Sequence, residues 1–432
     1  MLSIGLMSGT SMDGIDAALL GVDGDYDTIK DLGHVSLSYD AETKMLLKGA
    51  EYSIRRAKGN MAVAHHHFST DLFTYITHEI QLPDPTKVIN ALMHYLYGAE
   101  QVIALHDVIQ LSTHLHIECV KRLLVQTGCS VSQIAIIGYH GQTVYHQPSA
   151  CLSISLGNPQ HMANELGVTV VHDFRRQDVE AGGQGAPFAP LYHHAIAQRD
   201  RIVPVGVINC GGISNITLIQ SSSELDIISY DSGPGNALID LFVRKKTMGA
   251  ECMDMDGAYG RKGKPHKTTL DALRAKALFK NGINYLNVPP PKALDIGDIM
   301  LIPEVMDLSI NDGCATLEVF TAQTIVQSLA LIQHHHTCTT LLPQRWILCG
   351  GGWKNPVIKY NFEEELKIYL SGKLSVETAD EAGWNSAAME AQIFAYLAVR
   401  SLSRQPLSLP NTTGVSKPMP GGMHYQPNNR RN

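Results

Sequence analysis

A charged cluster followed by a glycine-rich loop is the part of this chain that could most directly carry chemistry. In residues 168–190, VTVVHDFRRQDVEAGGQGAPFAP, Asp173 and Asp178 flank Arg175 and Arg176. A carboxylate kept ionised by a neighbouring guanidinium can accept a proton as a general base. The glycines that follow allow the main chain to pack against a group that leaves no room for side chains. The alternative is a surface ion-pair cluster ahead of an ordinary loop, and such pairs contribute little stability.

A second glycine-rich segment opens the chain. Residues 4–16, IGLMSGTSMDGID, place a polar turn between two apolar runs, and this pattern predicts a β-hairpin. The turn has a glycine on each side, hydroxyl groups and a carboxylate. Main-chain N–H groups and hydroxyls that converge in this way can hold a phosphate. An ordinary polar hairpin turn is the alternative.

Polar residues also follow an apolar run in the middle of the chain. The run IAIIG, residues 134–138, predicts a buried strand that ends at a polar turn over residues 139–143. Ligands of α/β sheets bind beyond the carboxyl ends of parallel strands, where His140 and Gln142 would then lie. A histidine that satisfies a nearby carbonyl is the alternative.

Three further glycine segments occur in the second half of the chain. Residues 203–219 give strand, Gly-Gly turn and strand, and residues 345–358 give a strand, three glycines and then Asn355-Pro356, which predict the N-cap and first residue of a helix. Between them, Asp231 is expected at the end of a strand and before a helix. A carboxylate beside a helix N-terminus suits Mg²⁺ or phosphate contacts, and an N-cap is the alternative.

The elements that must position these segments follow from length and periodicity. At 432 residues, with 44% hydrophobic and 17% charged residues, the chain is expected to form two well-buried domains. Residues 41–126 read as helical, and residues 386–402 form an amphipathic helix with Glu390 one position off its apolar stripe. The tail from Pro406 is expected to be irregular.

Composition bounds the function classes. The net charge of -7 argues against a general nucleic-acid binder, and eight scattered cysteines without a CxxC pair indicate core thiols in a reducing compartment. We find no charged leader before an apolar run and expect no stretch long enough to span a bilayer, so the cytoplasm is the expected location. The histidine runs 65–67 and 334–336 lack the spacing of a metal site, because adjacent histidines of a regular element cannot all face one ion.

Several of these strings resemble the signatures of one family. GLMSGTSMDGID, HGQTV and DFRRQDVEAGGQGAP are similar to segments of the anhydro-N-acetylmuramic acid kinases, bacterial enzymes of the actin, Hsp70 and sugar-kinase superfamily, and they occur in the family's order. The resemblance implies an α/β fold of two RNase H-like domains around a central cleft. Residues 1–200 would form the first domain, with a helical insert near 55–106, and residues 201–385 the second. Residues 386–432 would return a helix to the first domain and add a tail.

The resemblance also implies a role for individual residues. Asp178 falls on the catalytic base, and Glu390 on a functional glutamate of the sugar site. The sugar substrate would contact His140, Gln142, Gly183 and Gln184. The ATP-binding positions would be Gly9, Thr10, Ser11, Met12, Asp13, Gly14, Ile15, Asp16, Gly211, Gly212, Asp231, Gly233, Gly350, Gly351 and Gly352.

The activity implied is the ATP- and Mg²⁺-dependent conversion of 1,6-anhydro-N-acetylmuramic acid to N-acetylmuramate 6-phosphate in peptidoglycan recycling, by an enzyme that is commonly a dimer. No membrane or nucleic-acid partner is expected. The chain departs from the family pattern at Asn158 and at residues 293–297. Two alternatives therefore stay open: another hydroxyl or sugar kinase of the same fold, and a catalytically weak nucleotide-binding relative.

Overall fold

The computed structural model describes residues 1–9, 11–23, 25–279, 281–294, 296–335 and 342–428. Contacts divide the chain into two compact units, each built around its own β-sheet. The first unit holds Met1–Tyr192, Ala387–Leu409 and Val415–Asn432, and the second holds His193–Ser386 and Pro410–Gly414. The predicted α/β class is confirmed. The first boundary between the units lies between residues 192 and 193, whereas the boundary implied by the family resemblance lies between residues 200 and 201.

The sheet of the first unit has seven strands. They are β1 (Leu2–Ser8), β2 (Gly14–Asp23), β3 (Asp25–Ser38), β4 (Ile134–Gln147), β5 (Leu152–Leu156), β6 (Val170–His172) and β12 (Met423–Tyr425). Their order is β12-β6-β4-β1-β2-β3, with β5 also paired to β4. Strands β1 and β6 run parallel to β4, and the first three strands form an antiparallel meander. The hairpin predicted at the start of the chain is confirmed as β1 and β2.

Strand β4 is longer than predicted. It continues through the expected turn at residues 139–143 to Gln147, because its second half pairs with β5. Gly141 has a φ of +70° within it, a left-handed conformation that glycine adopts without strain. A Cβ there would lie 2.5 Å from the Leu156 carbonyl oxygen. The glycine therefore marks a local irregularity within the strand and not its end.

Helices cover residues 41–127 of the first unit, as predicted. They are α1 (Ala41–Arg56), α2 (Met61–Thr74), α3 (Pro85–Tyr97) and α4 (Leu105–Thr127), with a π-helical turn at Tyr75–Glu79. Within the predicted insert, Ala64, Phe68 and Leu72 are buried in the same core as the sheet residues. Asp71 accepts from the Ser53 hydroxyl at 2.7 Å and pairs with Arg56 at 3.0 Å. The insert is thus part of the core of this unit.

Helix α13 (Met389–Leu402) lies directly on the sheet of the first unit. Gly5 of β1 and Gly138 of β4 are register partners beneath it. A Cβ on Gly5 would come within 1.8 Å of the Ala391 carbonyl oxygen, and one on Gly138 within 2.0 Å of that of Phe394. Two glycines side by side on neighbouring strands therefore allow helix and sheet backbones to touch. This contact fixes the start of α13, which carries Glu390.

The remaining helices of the chain are short or belong to the second unit. They are α5 (Pro159–Leu166), α6 (Arg176–Glu180), α7 (Ala189–Arg199), α8 (Ala237–Lys246), α9 (Lys267–Ala275), α10 (Pro303–Met306), α11 (Ile310–His335) and α12 (Pro356–Tyr369). The sheet of the second unit consists of β7 (Val205–Cys210), β8 (Ile213–Ile219), β9 (Ile227–Pro234), β10 (Arg345–Cys349) and β11 (Ser375–Thr378). Its order is β11-β10-β7-β8-β9. The predicted strand pair around the Gly-Gly turn is confirmed as β7 and β8.

Helix α11 corrects one expectation from sequence. Residues Ile310–Ile332 are long and apolar enough to cross a membrane by length and composition, although no such stretch was expected. In the structure, 78% of the most apolar part of this helix is buried inside the protein. That burial is the pattern of a core helix.

The C-terminal tail is more ordered than its composition suggests. Residues Met423–Tyr425 form β12, which pairs antiparallel with β6 at the edge of the first sheet. The Ser401 hydroxyl donates to the Gly421 carbonyl at 2.6 Å and lies 2.8 Å from His424 Nε2. The tail is therefore anchored to the end of α13 as well as to the sheet.

Candidate functional site

Asp178 is the best-oriented carboxylate of the first unit. It lies in the short helix α6 and is 1% exposed. Its Oδ1 accepts a hydrogen bond of 2.6 Å from the Gly185 amide, which belongs to the glycine loop. Among the residues that the structure describes, Oδ2 has no hydrogen-bond partner. A buried carboxylate with one oxygen fixed and the other unpartnered is poised to bind a further polar group.

The glycine loop shapes the space beside Asp178. A Cβ on Gly183 would lie 2.2 Å from Asp178 Oδ1 and 2.8 Å from Val415. Gly185 has a φ of +66°, and its own Cβ would lie 2.7 Å from Val179. His146 Nε2 donates to the Gln184 carbonyl at 3.0 Å and so supports the loop from β4. These contacts explain why the loop is glycine-rich where it passes the carboxylate.

Arg175 joins the loop to His140. Its Nη1 donates to the Gly185 carbonyl at 2.6 Å, and its Nη2 donates to His140 Nε2 at 3.3 Å. Since a guanidinium can only donate, His140 Nε2 accepts, and the imidazole is neutral with its proton on Nδ1. Burial, Arg175 and His172 all hold the pKa of His140 well below its usual range. His140 therefore cannot serve as a cation in this site at neutral pH.

The second arginine of the cluster has a different partner. Arg176 forms an ion pair of 2.5 Å with Asp173, and the Arg176 side chain is half exposed. Asp173 is thus engaged, whereas Asp178 shares the Gly185 peptide with Arg175. Burial lowers the pKa of Arg175. The negative charges of Asp178 and Glu390 oppose this effect and favour the cationic form of Arg175. Of the two arginines considered from sequence, Arg175 is the one beside Asp178.

Glu390 begins α13 and faces the same group of charges. Water reaches its carboxylate, yet enough protein surrounds it that desolvation raises its pKa. The negative charge of Asp16 raises the pKa further, and the charge of Arg175 opposes this. Glu390, Asp16 and Arg175 come from three separate elements, so the fold assembles them into one charged group within the first unit.

Gln142 connects this group to the first hairpin. Its Oε1 accepts from the Ser8 hydroxyl at 2.6 Å, and its Nε2 donates to the Gly9 carbonyl at 3.0 Å. The Ser8 hydroxyl is also 3.1 Å from the Tyr39 hydroxyl. The Gln142 amide is therefore engaged with the start of the hairpin turn and positions it.

The residues of the hairpin turn have distinct surroundings. Met12 and Ile15 are 1% exposed and belong to the core, so their contribution to a ligand would come from the main chain. Gly9 has open space, because only Ser11 Oγ would lie near a Cβ there, at 3.7 Å. A Cβ on Gly14, in contrast, would lie 2.4 Å from the Leu37 carbonyl oxygen. The exposed carboxylate of Asp13 forms an ion pair of 2.9 Å with Lys44, which lowers its pKa. Thr10 lies outside the described residues.

The Gly-Gly turn of the second unit caps a helix. The carbonyls of Gly211 and Gly212 accept from the amides of Asn236 and Gly235 at 2.8 and 2.9 Å, ahead of α8. A Cβ on Gly235 would lie 2.0 Å from the Gly211 oxygen, which requires glycine there. Gly212 itself is exposed. The turn is therefore held rigidly by α8 and presents its outer edge to solvent.

Asp231 lies within β9 and not at an N-cap, since α8 begins six residues later. Its Oδ2 accepts from the Leu294 amide at 2.7 Å. Burial raises the pKa of Asp231 to about 6, and the Leu294 amide and the charge of Lys292 oppose this. Lys292 is itself 4% exposed and donates to the Tyr285 carbonyl at 3.0 Å, and burial lowers its pKa to about 8. The sequence pattern did not indicate that Lys292 lies near Asp231, because its one notable feature there is its position directly after three prolines.

Of the four other glycines of the second unit that were predicted to bind nucleotide, three pack tightly and one does not. A Cβ on Gly350 or on Gly352 would lie within 2.6 Å of an atom of Cys210. A Cβ on Gly233 would lie 2.7 Å from the Thr324 hydroxyl oxygen. Gly351 alone among the three glycines after β10 has open space. Asn355 caps α12 by accepting from the Val357 amide at 2.9 Å, as predicted.

The structure describes the first histidine run but not the side chains of the second. No group of three or more His, Cys, Asp or Glu side chains that could hold a metal ion occurs in the described residues. His65, His66 and His67 are exposed on α2. The side chains of residues 334–336 lie outside the described part of the chain. Asn158, a departure from the family pattern, caps α5 by accepting from the His161 amide at 3.0 Å.

Comparison with known proteins identifies a single family. The sequence model described as anhydro-N-acetylmuramic acid kinase matches residues 58–427. The anhydro-N-acetylmuramic acid kinase of Nitrobacter winogradskyi is 36% identical over 429 residues, covering 99% of this chain and 100% of that protein. The one of Rhizorhabdus wittichii is 35% identical over 427 residues, covering 99% of both.

Solved structures resemble the chain more distantly. A ROK family glucokinase from Streptomyces griseus in complex with glucose and AMPPNP superposes with a TM-score of 0.35 and 11% identity, covering 93% of this chain and 100% of that one. A xylulose kinase from Lactobacillus acidophilus superposes with a TM-score of 0.34 and 11% identity, covering 98% of this chain and 93% of that one. The family assignment rests on the sequence relatives.

Proposed function

The chain belongs to the anhydro-N-acetylmuramic acid kinase family, whose ATP-dependent enzymes convert 1,6-anhydro-N-acetylmuramic acid to N-acetylmuramate 6-phosphate in peptidoglycan recycling, and we propose that Asp178 is the general base of that reaction. One observation carries the proposal. Asp178 Oδ2 is buried and has no hydrogen-bond partner in the part of the chain that the structure describes, while Oδ1 is fixed by the Gly185 amide. A water molecule bound to Oδ2 would find an acceptor of defined orientation.

In the proposed step, a water molecule opens the anhydro bridge of the sugar. Asp178 takes one proton from a water molecule, and the water oxygen forms a bond to the anomeric carbon. The bond between that carbon and O6 of the anhydro bridge breaks, and its electron pair stays on O6. O6 then attacks the γ-phosphorus of ATP, and ADP leaves. The step requires a carboxylate that accepts this proton, and Arg175 lies beside Asp178 through the Gly185 peptide that both contact.

Glu390 and His140 are proposed to bind the sugar. Glu390 is reached by water and has a raised pKa, so its carboxyl can exchange a proton nearer neutrality than a free glutamate. His140 is neutral, with Nδ1 buried and unpartnered among the described residues, so this N–H is free to donate. The loop residues Gly183 and Gln184 are proposed as main-chain contacts of the sugar. Gln142 is proposed to act through the hairpin that it holds, because its amide is already engaged.

The glycine turns are proposed as nucleotide-binding elements. In the first unit, Gly9 is suited to the approach of phosphate because the nearest atom to a Cβ there would be Ser11 Oγ, at 3.7 Å. In the second unit, the same argument applies to the exposed Gly212 and to the open Gly351. Glycines 14, 233, 350 and 352, where a Cβ would meet neighbouring atoms at less than 3.0 Å, are proposed to shape these turns.

Mg²⁺ is proposed to act with ATP, and Asp231 is the residue that would hold it in the second unit. One Asp231 oxygen accepts from the Leu294 amide, and burial raises the pKa of this carboxyl group while that amide and the charge of Lys292 oppose the rise. A single carboxylate with phosphate oxygens and water is a common environment for this ion. Mg²⁺ would neutralise charge on the phosphates.

Assembly and location remain proposals as well. A homodimer is proposed from the family, and light scattering would test it. The cytoplasm is proposed because the seven cysteines in the described residues are all free, as in a reducing compartment.

A coupled assay of ADP release tests the function. With purified enzyme, 1,6-anhydro-N-acetylmuramic acid should support turnover, whereas N-acetylmuramic acid, which lacks the bridge, should not. Turnover with the unbridged sugar alone would favour a general sugar kinase. ATP binding without turnover of any sugar would favour a weak nucleotide-binding relative.

A further inference from the structure

Two buried carboxyl groups, those of Glu318 and Asp254, lie close together in the second unit. Glu318 of α11 is 0% exposed, and Asp254, in the loop after α8, is 5% exposed. Both Asp254 oxygens accept main-chain hydrogen bonds of 2.9 Å, from the amides of Tyr259 and Gly260. Both Asp254 oxygens are therefore already engaged as acceptors by the main chain.

Glu318 is held from one side only. Its Oε1 accepts from Asn355 Nδ2 at 2.6 Å. Its Oε2 accepts no hydrogen bond from the described residues, and a Cβ on Gly260 would lie only 1.8 Å from it. Oε2 therefore shares the space at Gly260 with the Asp254 carboxylate. A proton on Oε2 satisfies it, since it can then donate to Asp254.

The surroundings favour this proton. The pKa of Glu318 is raised to about 8, mainly by burial and also by the hydrogen bond with Asp254 and its charge, while Asn355 and the charge of Arg261 oppose the rise. Cys314 also faces the pair from α11, and burial and the two carboxyls raise the pKa of its thiol. Two buried carboxyls in contact carry one charge at neutral pH.

The pair connects three segments, one of which precedes the helix α12. Asn355, which Glu318 holds, caps α12 and ends the segment Gly351–Lys354. Gly257, with a φ of +65°, packs against the same asparagine, and its Cβ would lie 2.7 Å from Asn355 Oδ1. The position of residues 351–354 thus depends on Asn355, and Asn355 depends on Glu318.

We propose that Glu318 is a positioning residue for ATP: as a neutral carboxylic acid between Asp254 and Asn355, it holds the N-terminus of α12 and the preceding glycine segment in the geometry that accepts the nucleotide. The inference rests on the proposed role of that segment as a nucleotide-binding element. Ionisation of Glu318 places a second negative charge in the buried pair and pushes the loop and the helix apart. ATP affinity then falls, with no change in the residues that touch the sugar.

Calorimetric titration of the full-length protein with Mg-ATP, without sugar, between pH 7 and pH 9.5 tests this. If only the protein with neutral Glu318 binds, the Kd of the wild type rises about tenfold from pH 7 to pH 9. Glu318→Gln keeps both hydrogen bonds and cannot ionise, so its Kd should match the wild type at pH 7 and stay flat. Glu318→Ala should bind ATP weakly at every pH.

Glu364→Gln, the same change at an exposed position of α12, serves as the matched control and should follow the wild type. Thermal unfolding verifies that each variant is folded. The inference is overturned if Glu318→Gln shows the alkaline rise of the wild type, or if it binds as weakly as Glu318→Ala at pH 7. Failure of the wild type to bind ATP at pH 7 contradicts the proposed function itself, and the inference with it.

Discussion

At the scale of single residues, Asp178 and Gly183 depend on each other through direct contact. A methyl group on Gly183 would lie 2.2 Å from Asp178 Oδ1, so Gly183→Ala must displace the carboxylate from the Gly185 amide. Single-turnover rates on the anhydrosugar should fall at least about tenfold, as expected when a charged hydrogen bond worth about 1.5–3 kcal/mol is disturbed. ATP affinity should stay unchanged.

Gly182→Ala is the control for this prediction. Gly182 has a φ of +85° but nothing within 4 Å of a Cβ, so alanine there strains the backbone without touching Asp178. It should cost about 1 kcal/mol of stability and leave the rate of the folded enzyme near wild type. Equal rate losses in both variants would mean that loop strain, and not the carboxylate, controls turnover.

Sequence motifs could identify the charged cluster but not its pairing. Asp173 and Asp178 both lie close to two arginines in the sequence, and the short helix α6, which contains Asp178, determines which arginine each aspartate contacts. Arg176, at its start, pairs with Asp173 three residues earlier, while Arg175 reaches the Gly185 carbonyl ten residues ahead. The direction of each side chain depends on a helix of five residues, whose bounds no periodicity reveals.

At the scale of elements, the first hairpin separates a ligand-binding glycine from a structural one. Gly9→Val has room for its side chain and should leave the fold intact while it weakens ATP binding about tenfold or more, the loss of one hydrogen bond to a charged group. Gly14→Val would drive its Cβ into the main chain of β3, at 2.4 Å from the Leu37 oxygen. It should destabilise the first unit by about 1–3 kcal/mol.

Calorimetry with ATP and denaturant unfolding distinguish these two effects. A folded Gly9→Val protein with wild-type ATP affinity would show that phosphate does not approach this turn. Periodicity sufficed to predict the hairpin and the helices, since both depend on local pattern. It failed for β4, whose extension to Gln147 depends on pairing with β5, and pairing partners are not visible in a single strand's pattern.

At the scale of the whole molecule, the C-terminal helix depends on residues at the start and the middle of the chain. Gly5 and Gly138 become neighbours only when β1 and β4 pair, and only then do they admit the backbone of α13. The family resemblance implied that this helix returns to the first domain. No local signal in the sequence links two isolated glycines to a helix more than two hundred residues away.

Buried histidines should make the stability of the molecule dependent on pH. Burial lowers the pKa of His116 from 6.5 to about 4, with its Nδ1 donating to the Ser112 carbonyl at 2.7 Å. In the unfolded chain His116 is protonated below pH 6.5, whereas in the folded chain it is protonated only below about pH 4. The stability that neutral His116 contributes is therefore lost as the pH falls from 6.5 to about 4. From pH 7.5 to pH 5 the loss is about 2 kcal/mol.

Denaturant unfolding of the wild type and His116→Gln at both pH values isolates this contribution, since His140, His172 and His193 shift in the same direction in both proteins. The wild type should lose about 2 kcal/mol more than the variant on acidification. Identical losses would show that His116 is protonated in the folded state at pH 5.

The single-turnover rate of Asp178→Asn on 1,6-anhydro-N-acetylmuramic acid tests the central claim most directly. Asparagine keeps the size of the side chain and can accept from the Gly185 amide, but it cannot take a proton from water. The rate should fall by about a hundred- to ten-thousand-fold with ATP affinity unchanged, while Asp173→Asn, whose carboxylate is engaged by Arg176, should stay near wild type. A near-wild-type rate for Asp178→Asn would contradict the account and pass the role of base to Asp173 or Glu390.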